Sequence, residues 1–196
     1  MTGYHGVIIQ GNVRPGEWVA VFGTGGVRLS VIQIGSAVGA NVIAVDISDD
    51  KLAFSKGIGA VEAVNSNIEN APQTIKEITN GGAHVSIDAL GIQETCVNAV
   101  LCLAKRGRHV QIGVSSNPNG GLTQVPINLL VGHEIQFIGS VGIPMPEFST
   151  MLQLVEKGRL SPGKLVTKTI SLKDIDGVLE DMNTYSGIGV KIIDKF

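Results

Sequence analysis

The chain has 196 residues, of which 43% are hydrophobic and 16% are charged, and its formal net charge is −2. This composition excludes a disordered chain, and the lack of a basic block argues against nucleic acid or an anionic membrane as a partner. No apolar run reaches the roughly 18 residues of a membrane span, and no basic-then-apolar leader begins the sequence. Cys96 and Cys102 lie six residues apart in one predicted helix, where they face different sides. A disulfide is therefore not expected, and the chain is predicted to be cytoplasmic.

Predicted strands and helices alternate along the first two thirds of the chain. The pattern predicts helices at 2–10, 27–38, 49–57, about 70–80, 93–103 and 126–131, and strands at 18–22, 41–46, 60–64, 84–88, 108–112 and 135–139. Because no hairpin signals separate the strands, the predicted fold class is α/β. The expected architecture is a doubly wound parallel sheet of six strands in the order 3-2-1-4-5-6.

The regular alternation of predicted strands and helices ends after Gly142. A helix is predicted at 148–156, a strand at 165–170, and a final strand at 190–194. Ser171 and Asp174 form a capping-box pattern, which predicts a helix that continues to about residue 182. A tail of about fifty residues is too short for a second independent core, so we expect it to belong to a domain that has another part.

A glycine turn between the first strand and the next helix is the central motif of the sequence. Gly23 would make the tight turn, and Gly25 would let the backbone approach a pyrophosphate at the positive end of the helix. The third glycine of the G-x-G-x-x-G pattern is replaced by Arg28. By itself this incomplete pattern is weak evidence for a dinucleotide site.

Asp46 strengthens the dinucleotide interpretation. It ends the second predicted strand, 23 residues after Gly23. An acid at that spacing can accept hydrogen bonds from the adenosine ribose hydroxyls of NAD. The alternative is that Asp46 caps the next helix.

Several motifs together resemble the medium-chain, zinc-dependent alcohol dehydrogenases. The motifs extend over essentially the whole chain: Arg14-Pro-Gly-Glu17, Gly23-Thr-Gly-Gly-Val27, Gly81-Gly-Ala-His-Val85, Asp88-Ala-Leu-Gly91, Gly107-Arg-His-Val-Gln-Ile-Gly113 and Gly187-Ile-Gly-Val-Lys191. The resemblance implies a Rossmann NAD-binding domain at 1–140. It also implies that 141–196 is the C-terminal segment of a GroES-like catalytic domain.

The resemblance also implies a set of cofactor-binding residues. Lys51 would lie beside the ribose with Asp46, although a solvated helix lysine is an equal alternative. Thr2 would pack near the nicotinamide ring. The remaining implied contacts belong to the pyrophosphate turn and to the nicotinamide: Gly23, Thr24, Gly25, Gly26 and Val27 for the former, and Ile112, Gly113 and Val114 for the latter.

In the complete family enzyme, zinc and NAD together transfer a hydride between a small alcohol or aldehyde and the cofactor. The resemblance implies that the zinc ligands precede Met1, so we expect this chain alone to bind no metal, to carry no catalytic residue and to be inactive. The four histidines, His5, His84, His109 and His133, are scattered over different elements, which argues against a zinc site built from them. Both cysteines are expected to be core thiols.

Two other functions stay open at this point. The chain could be a non-catalytic nucleotide-binding module, or an oligomerising scaffold in which Arg28 has weakened cofactor binding. A homodimer is expected through strand 135–139, because this edge strand carries no proline or lysine that would protect it. The segment 115–121 is predicted to be a loop on the cofactor side.

Arg28 itself has two interpretations. On a helix it shares a face with Ile32 and Gly35, which predicts that it presses on the sheet, strains the packing and points away from the phosphates. The rival interpretation is that Arg28 reaches the pyrophosphate and adds a charge-assisted contact. The sequence favours strain.

Overall fold

The computed structural model describes residues 1–23, 25–115, 121–142, 144–183 and 187–195. The strands of the main sheet are β1 (Trp18–Phe22), β2 (Asn41–Asp46), β3 (Glu62–Asn65), β4 (Ala83–Asp88), β5 (Leu103–Gln111) and β6 (Gln136–Gly139). They pair in parallel in the order β3-β2-β1-β4-β5-β6, which confirms the predicted topology.

Helices connect these strands. They are α1 (Thr2–Tyr4), which continues as a π-helical turn (His5–Gln10), α2 (Gly26–Ala37), α3 (Asp49–Gly57), α4 (Ala71–Thr79), α5 (Gln93–Leu101) and α6 (Ile127–His133). Within the described ranges, none of the helices is both long and apolar enough to cross a bilayer.

The central strand β1 shows why the sheet forms here. Its Trp-Val-Ala-Val-Phe sequence is buried from Val19 to Phe22, as expected for a strand covered on both faces. Side chains alternate between the faces: Val19 and Val21 join one core cluster with α2, while Ala20 and Phe22 join a second cluster with α4 and α5.

The C-terminal segment packs onto the same sheet–helix unit. It contains α7 (Met145–Glu156), β7 (Val166–Ser171), α8 (Ile175–Asn183) and β8 (Val190–Lys195), and β7 and β8 form a two-stranded parallel sheet. Leu160 and Leu165 join the core cluster of α2. Gln33 fixes this contact, because its side chain donates to the Ser161 carbonyl at 3.0 Å and accepts from the Ser161 N–H at 3.2 Å.

Several predicted boundaries are corrected by the structure. Strand β3 begins at Glu62 rather than at residue 60, because the N–H of Ala60 still closes the turn after α3 by donating to Ser55. Helix α7 begins at Met145 rather than at residue 148, since Pro146 is tolerated in its first turn.

The largest correction concerns β5 and the helix before it. Helix α5 ends at Leu101, and β5 begins at Leu103 rather than at residue 108. Its pairing with β4 shifts register between two segments, and Arg106 has a left-handed φ of 62° there. The first half of this strand contains exposed charged residues and lacks the apolar run that predicts a buried strand, so the sequence did not indicate it.

Candidate functional site

The first strand ends in the glycine turn that leads directly into α2. Gly23 has a φ of +85°, which favours glycine, and its N–H donates to the Val45 carbonyl at 2.6 Å. Gly25 is the N-cap residue of α2, and Gly26 is the first helical residue. Because glycine has no side chain, the N-cap residue does not cap the N–H groups of the first turn. The positive end of α2 is therefore able to bind an anionic group. Predicted residue Thr24 lies outside the described residues, and Val27 stands in the first turn, 42% exposed.

A cavity of about 440 Å³ opens at this turn. Three of its lining side chains are cationic: Arg28, Lys51 and Lys191. The C-terminal segment supplies the opposite, largely apolar wall, with Ile170, Ile175, Val178, Leu179, Met182, Val190 and Ile193. Of the residues predicted to bind the cofactor, Gly25, Gly26 and Lys51 line this one basic cleft between the glycine turn and the C-terminal segment.

Lys191 was not assigned to the site by sequence reasoning. Its Nζ lies 2.8 Å from Oδ2 of Asp181 in α8, and its side chain is only 18% exposed. The available signal was the glycine-rich segment 187–191, whose lysine is the second residue of β8. A pattern of this kind does not show which distant loop the lysine will face.

The predicted orientation of Arg28 is wrong. A Cβ built on Gly23 would lie 2.7 Å from Cδ, Nε and Nη1 of Arg28, and one built on Gly25 would overlap its Nη2. The side chain therefore folds back over the glycine turn and lines the cavity instead of pressing between helix and sheet. The close helix–strand approach occurs at Gly35, where a Cβ would lie 2.9 Å from Val42.

Asp46 lies at the end of β2, beside the end of β1, but not among the cavity-lining residues. Its Oδ1 accepts the N–H groups of Ile47 and Ser48 at 2.8 and 3.1 Å. Both N–H groups precede α3, whose N-cap residue is Ser48, so these bonds close the turn before the helix and do not cap the helix itself. The position at the carboxyl edge of the sheet also suits a ribose contact.

The predicted nicotinamide segment lies on the other side of β1, at the ends of β4 and β5. Ile112 and Gly113 donate their N–H groups to the Asp88 carbonyl at 2.8 and 3.0 Å. Gly91 and Gly113 are in close contact, since a Cβ on Gly91 would lie 2.7 Å from the Gly113 carbonyl carbon. Val114 is 87% exposed. Of the predicted loop that follows, residues 116–120 lie outside the described ranges.

A buried polar network supports this segment. Ser86 and the Nδ1 of His109 are 2.9 Å apart, and the Nε2 of His109 lies 3.0 Å from the side-chain oxygen of Gln111. Gln111 in turn donates to Oδ2 of Asp88 at 3.0 Å, which also accepts from Thr95 at 3.1 Å. Sequence reasoning missed this network, because its members are ordinary strand residues until the strands are paired.

His5, His84 and both cysteines have structural surroundings. His5 contacts the Val141 carbonyl at 3.2 Å, and His84 accepts the N–H of Trp18 at 3.0 Å. Burial raises the pKa of Cys96 to about 11 and that of Cys102 to about 12, so neither is an activated thiol. In the part of the chain that the structure describes, no three histidine, cysteine or acidic side chains converge as a metal site.

The strand order and the glycine turn define a doubly wound dinucleotide-binding domain. A family model described as zinc-binding dehydrogenase matches residues 26–157. The chain therefore belongs to the zinc-binding dehydrogenase family, which confirms the resemblance found in the sequence.

Individual relatives agree with this assignment. Alcohol dehydrogenase class-2 isozyme 2 of Oryctolagus cuniculus is 34% identical over 183 residues, which cover 91% of this chain and 48% of the relative. An NAD-dependent alcohol dehydrogenase of Sulfurisphaera tokodaii is 29% identical, over 94% of this chain and 52% of the relative. The crystal structure of benzyl alcohol dehydrogenase from Acinetobacter calcoaceticus superposes with a TM-score of 0.90 at 26% identity, over 100% of this chain and 54% of that one. The chain spans about half the length of the curated relatives it matches.

Proposed function

We propose that this chain provides the NAD-binding half of a zinc-type alcohol dehydrogenase. The observation that carries the proposal is the cavity at the glycine turn, where a helix N-terminus and three cationic side chains face one space. A pyrophosphate carries the complementary charge, and a dinucleotide spans the carboxyl edge of such a sheet where the strand order reverses. The similarity to the NAD-dependent alcohol dehydrogenase of Sulfurisphaera tokodaii supports the same function.

Each part of the edge would hold one part of NAD. Gly23, Gly25 and Gly26 would approach the pyrophosphate, with Thr24 and Val27 in the same turn. Asp46 and Lys51 would contact the adenosine ribose. The backbone of Ile112, Gly113 and Val114, at the ends of β4 and β5, would line the nicotinamide ring.

The cationic lining of the cavity supports nucleotide binding, and the described residues include no group of three histidine, cysteine or acidic side chains that could hold a metal ion. In a complete enzyme, zinc would act as a Lewis acid on the oxygen of a small alcohol or aldehyde. We infer that this chain contributes cofactor binding and orientation, with no catalytic residue of its own, and is inactive alone.

The proposal also covers the domain bounds, the oligomeric state and the location of the protein. Residues 1–140 would form the NAD-binding domain, and 141–196 would be a segment of a GroES-like catalytic domain. The edge strand β6 would pair with a second copy, because among the described strands it is hydrogen-bonded to β5 alone. The free state of both cysteines supports a reducing, cytoplasmic location.

Two measurements on the purified chain test the function. Titration with NADH, followed by the fluorescence of its reduced ring, should show saturable binding. Incubation with NAD, ethanol and added zinc should give no NADH. An absence of NADH binding would favour the scaffold alternative, and turnover would contradict the division of roles proposed here.

A further inference from the structure

Arg28 occupies a special place in the cavity. It is the third residue of α2, so its Cα stands one helical turn or less from the glycines of the turn. Its side chain runs back over Gly23 and Gly25, and both positions would collide with it if they carried a Cβ. The two glycines therefore leave room for a guanidinium as well as for the backbone turn.

The surroundings of Arg28 are basic. Lys51 and Lys191 line the same cavity, and Asp181 Oδ2, from the one carboxylate among the described lining residues, lies 2.8 Å from the Nζ of Lys191. The titratable groups around the cavity thus carry a formal charge of +2, and the N-terminus of α2 adds partial positive charge. A cluster of this kind is complementary to a group with two negative charges.

We propose that Arg28 binds the pyrophosphate of the dinucleotide directly, in place of the third glycine of the turn. The inference rests on the proposed NAD-binding function and adds a residue and a recognition mode to it. A guanidinium presents a planar fork of N–H donors that matches phosphate oxygens, so it can bind two of them at once. Arg28 would thereby replace part of the backbone contact that a bare glycine turn provides.

The packing of α2 supports a binding role over a strained one. Leu29, Ile32 and Gly35 are buried on the core face of the helix, and the close approach to β2 is made at Gly35. Arg28 is only partly buried and stands outside this contact. The helix therefore reaches the sheet without displacing the arginine, and the arginine is directed at the ligand space.

Calorimetric titration of NAD, ADP-ribose and adenosine into the wild-type chain and the Arg28→Gly and Arg28→Lys variants tests this inference. Arg28→Gly should weaken NAD and ADP-ribose by roughly ten- to hundredfold, the range for a charge-assisted contact, and leave adenosine unchanged. Arg28→Lys keeps the positive charge but loses the planar fork of donors. Its affinity for NAD and for ADP-ribose should therefore lie between those of the wild type and Arg28→Gly. Arg14→Gly, which removes an arginine at the opposite edge of the sheet, should bind all three ligands as the wild type does.

The possible results separate the two proposals. Equal NAD binding by Arg28→Gly would show that the arginine adds nothing, and tighter binding would show that it obstructs the site; either result would overturn this inference alone. If the wild type binds neither NAD nor ADP-ribose, the NAD-binding function itself fails. Should Arg28→Gly not fold, wild-type affinity in Arg28→Lys combined with unchanged affinity in Arg28→Gln would overturn the inference equally.

Discussion

The side-chain Nε2 of Gln111 lies 3.0 Å from Oδ2 of Asp88, and this contact joins the ends of β5 and β4 beneath the loops that follow them. Asp88 is fully buried. Its other oxygen accepts the N–H of Leu90 at 2.8 Å, and the same Gln111 group donates to the Gly113 carbonyl at 3.0 Å. One buried carboxylate therefore holds both loops that we assign to the nicotinamide half of the site.

Replacing Asp88 should destabilise the fold. In Asp88→Asn, the amide nitrogen would face the donors of Gln111 and Thr95 at one oxygen position or those of Leu90 and Gly91 at the other, which leaves a buried donor without an acceptor in either orientation. We expect a loss of about 2–3 kcal/mol in the free energy of unfolding, measured by urea denaturation. Thr95→Val removes one donor and should cost only about 1 kcal/mol. Equal stabilities of Asp88→Asn and the wild type would show that the network contributes nothing.

The buried His109 should make stability depend on pH. Burial lowers the pKa of His109, while Gln111 and Asp88 oppose that shift only in part. The unfolded chain then binds a proton below a pH of about 6.5 that the folded chain does not, so folding stability should fall as the pH drops through that value. Between pH 8 and 5.5, urea midpoints should decline in the wild type and decline less in His109→Gln. Parallel pH profiles would contradict this account.

Asp46 should make the chain prefer NAD to NADP. Its carboxylate would face the 2′-phosphate of NADP, and Ser48 and Asp49 follow it in place of a compensating arginine. Two charges at about 4 Å repel by roughly 4 kcal/mol at an effective dielectric constant near 20, which is ample for a hundredfold preference. Titrations of both cofactors into the wild type and Asp46→Asn measure it. Comparable dissociation constants in the wild type would refute the assignment of Asp46.

The chain should form a homodimer through β6. Phe137 of this strand is 43% exposed while its ring lies against His109, with 4.6 Å between centroids, so the strand presents apolar surface at an open edge. Sedimentation at tens of micromolar should show a dimer. Gln136→Lys places a charge on the edge strand and should shift the equilibrium toward the monomer. Leu152→Lys on α7 serves as the control. A wild type that sediments only as a monomer would rule out the edge contact.

The sequence predicted the fold better than the site. The bounds of β1 and β2 were predicted without error, because short apolar runs end at glycine or at an acid. The first half of β5 was missed, because its exposed charged residues do not form a strand pattern and the left-handed Arg106 interrupts the regular strand there. The direction of Arg28 follows the space that Gly23 and Gly25 leave over the turn, and Lys191 reaches the cavity through a long-range contact of the C-terminal segment that no local pattern encodes.

The central claim, that the glycine turn binds NAD, is tested most directly by one calorimetric comparison of NAD binding. The wild-type chain should bind one NAD per chain. Gly25→Val should bind at least about tenfold more weakly, because a side chain there would collide with Arg28 and fill the phosphate space. Gly163→Val, where a Cβ would meet nothing within 4 Å, should bind as the wild type does. Wild-type affinity in a folded Gly25→Val, or no binding by the wild type at millimolar NAD, would contradict the account.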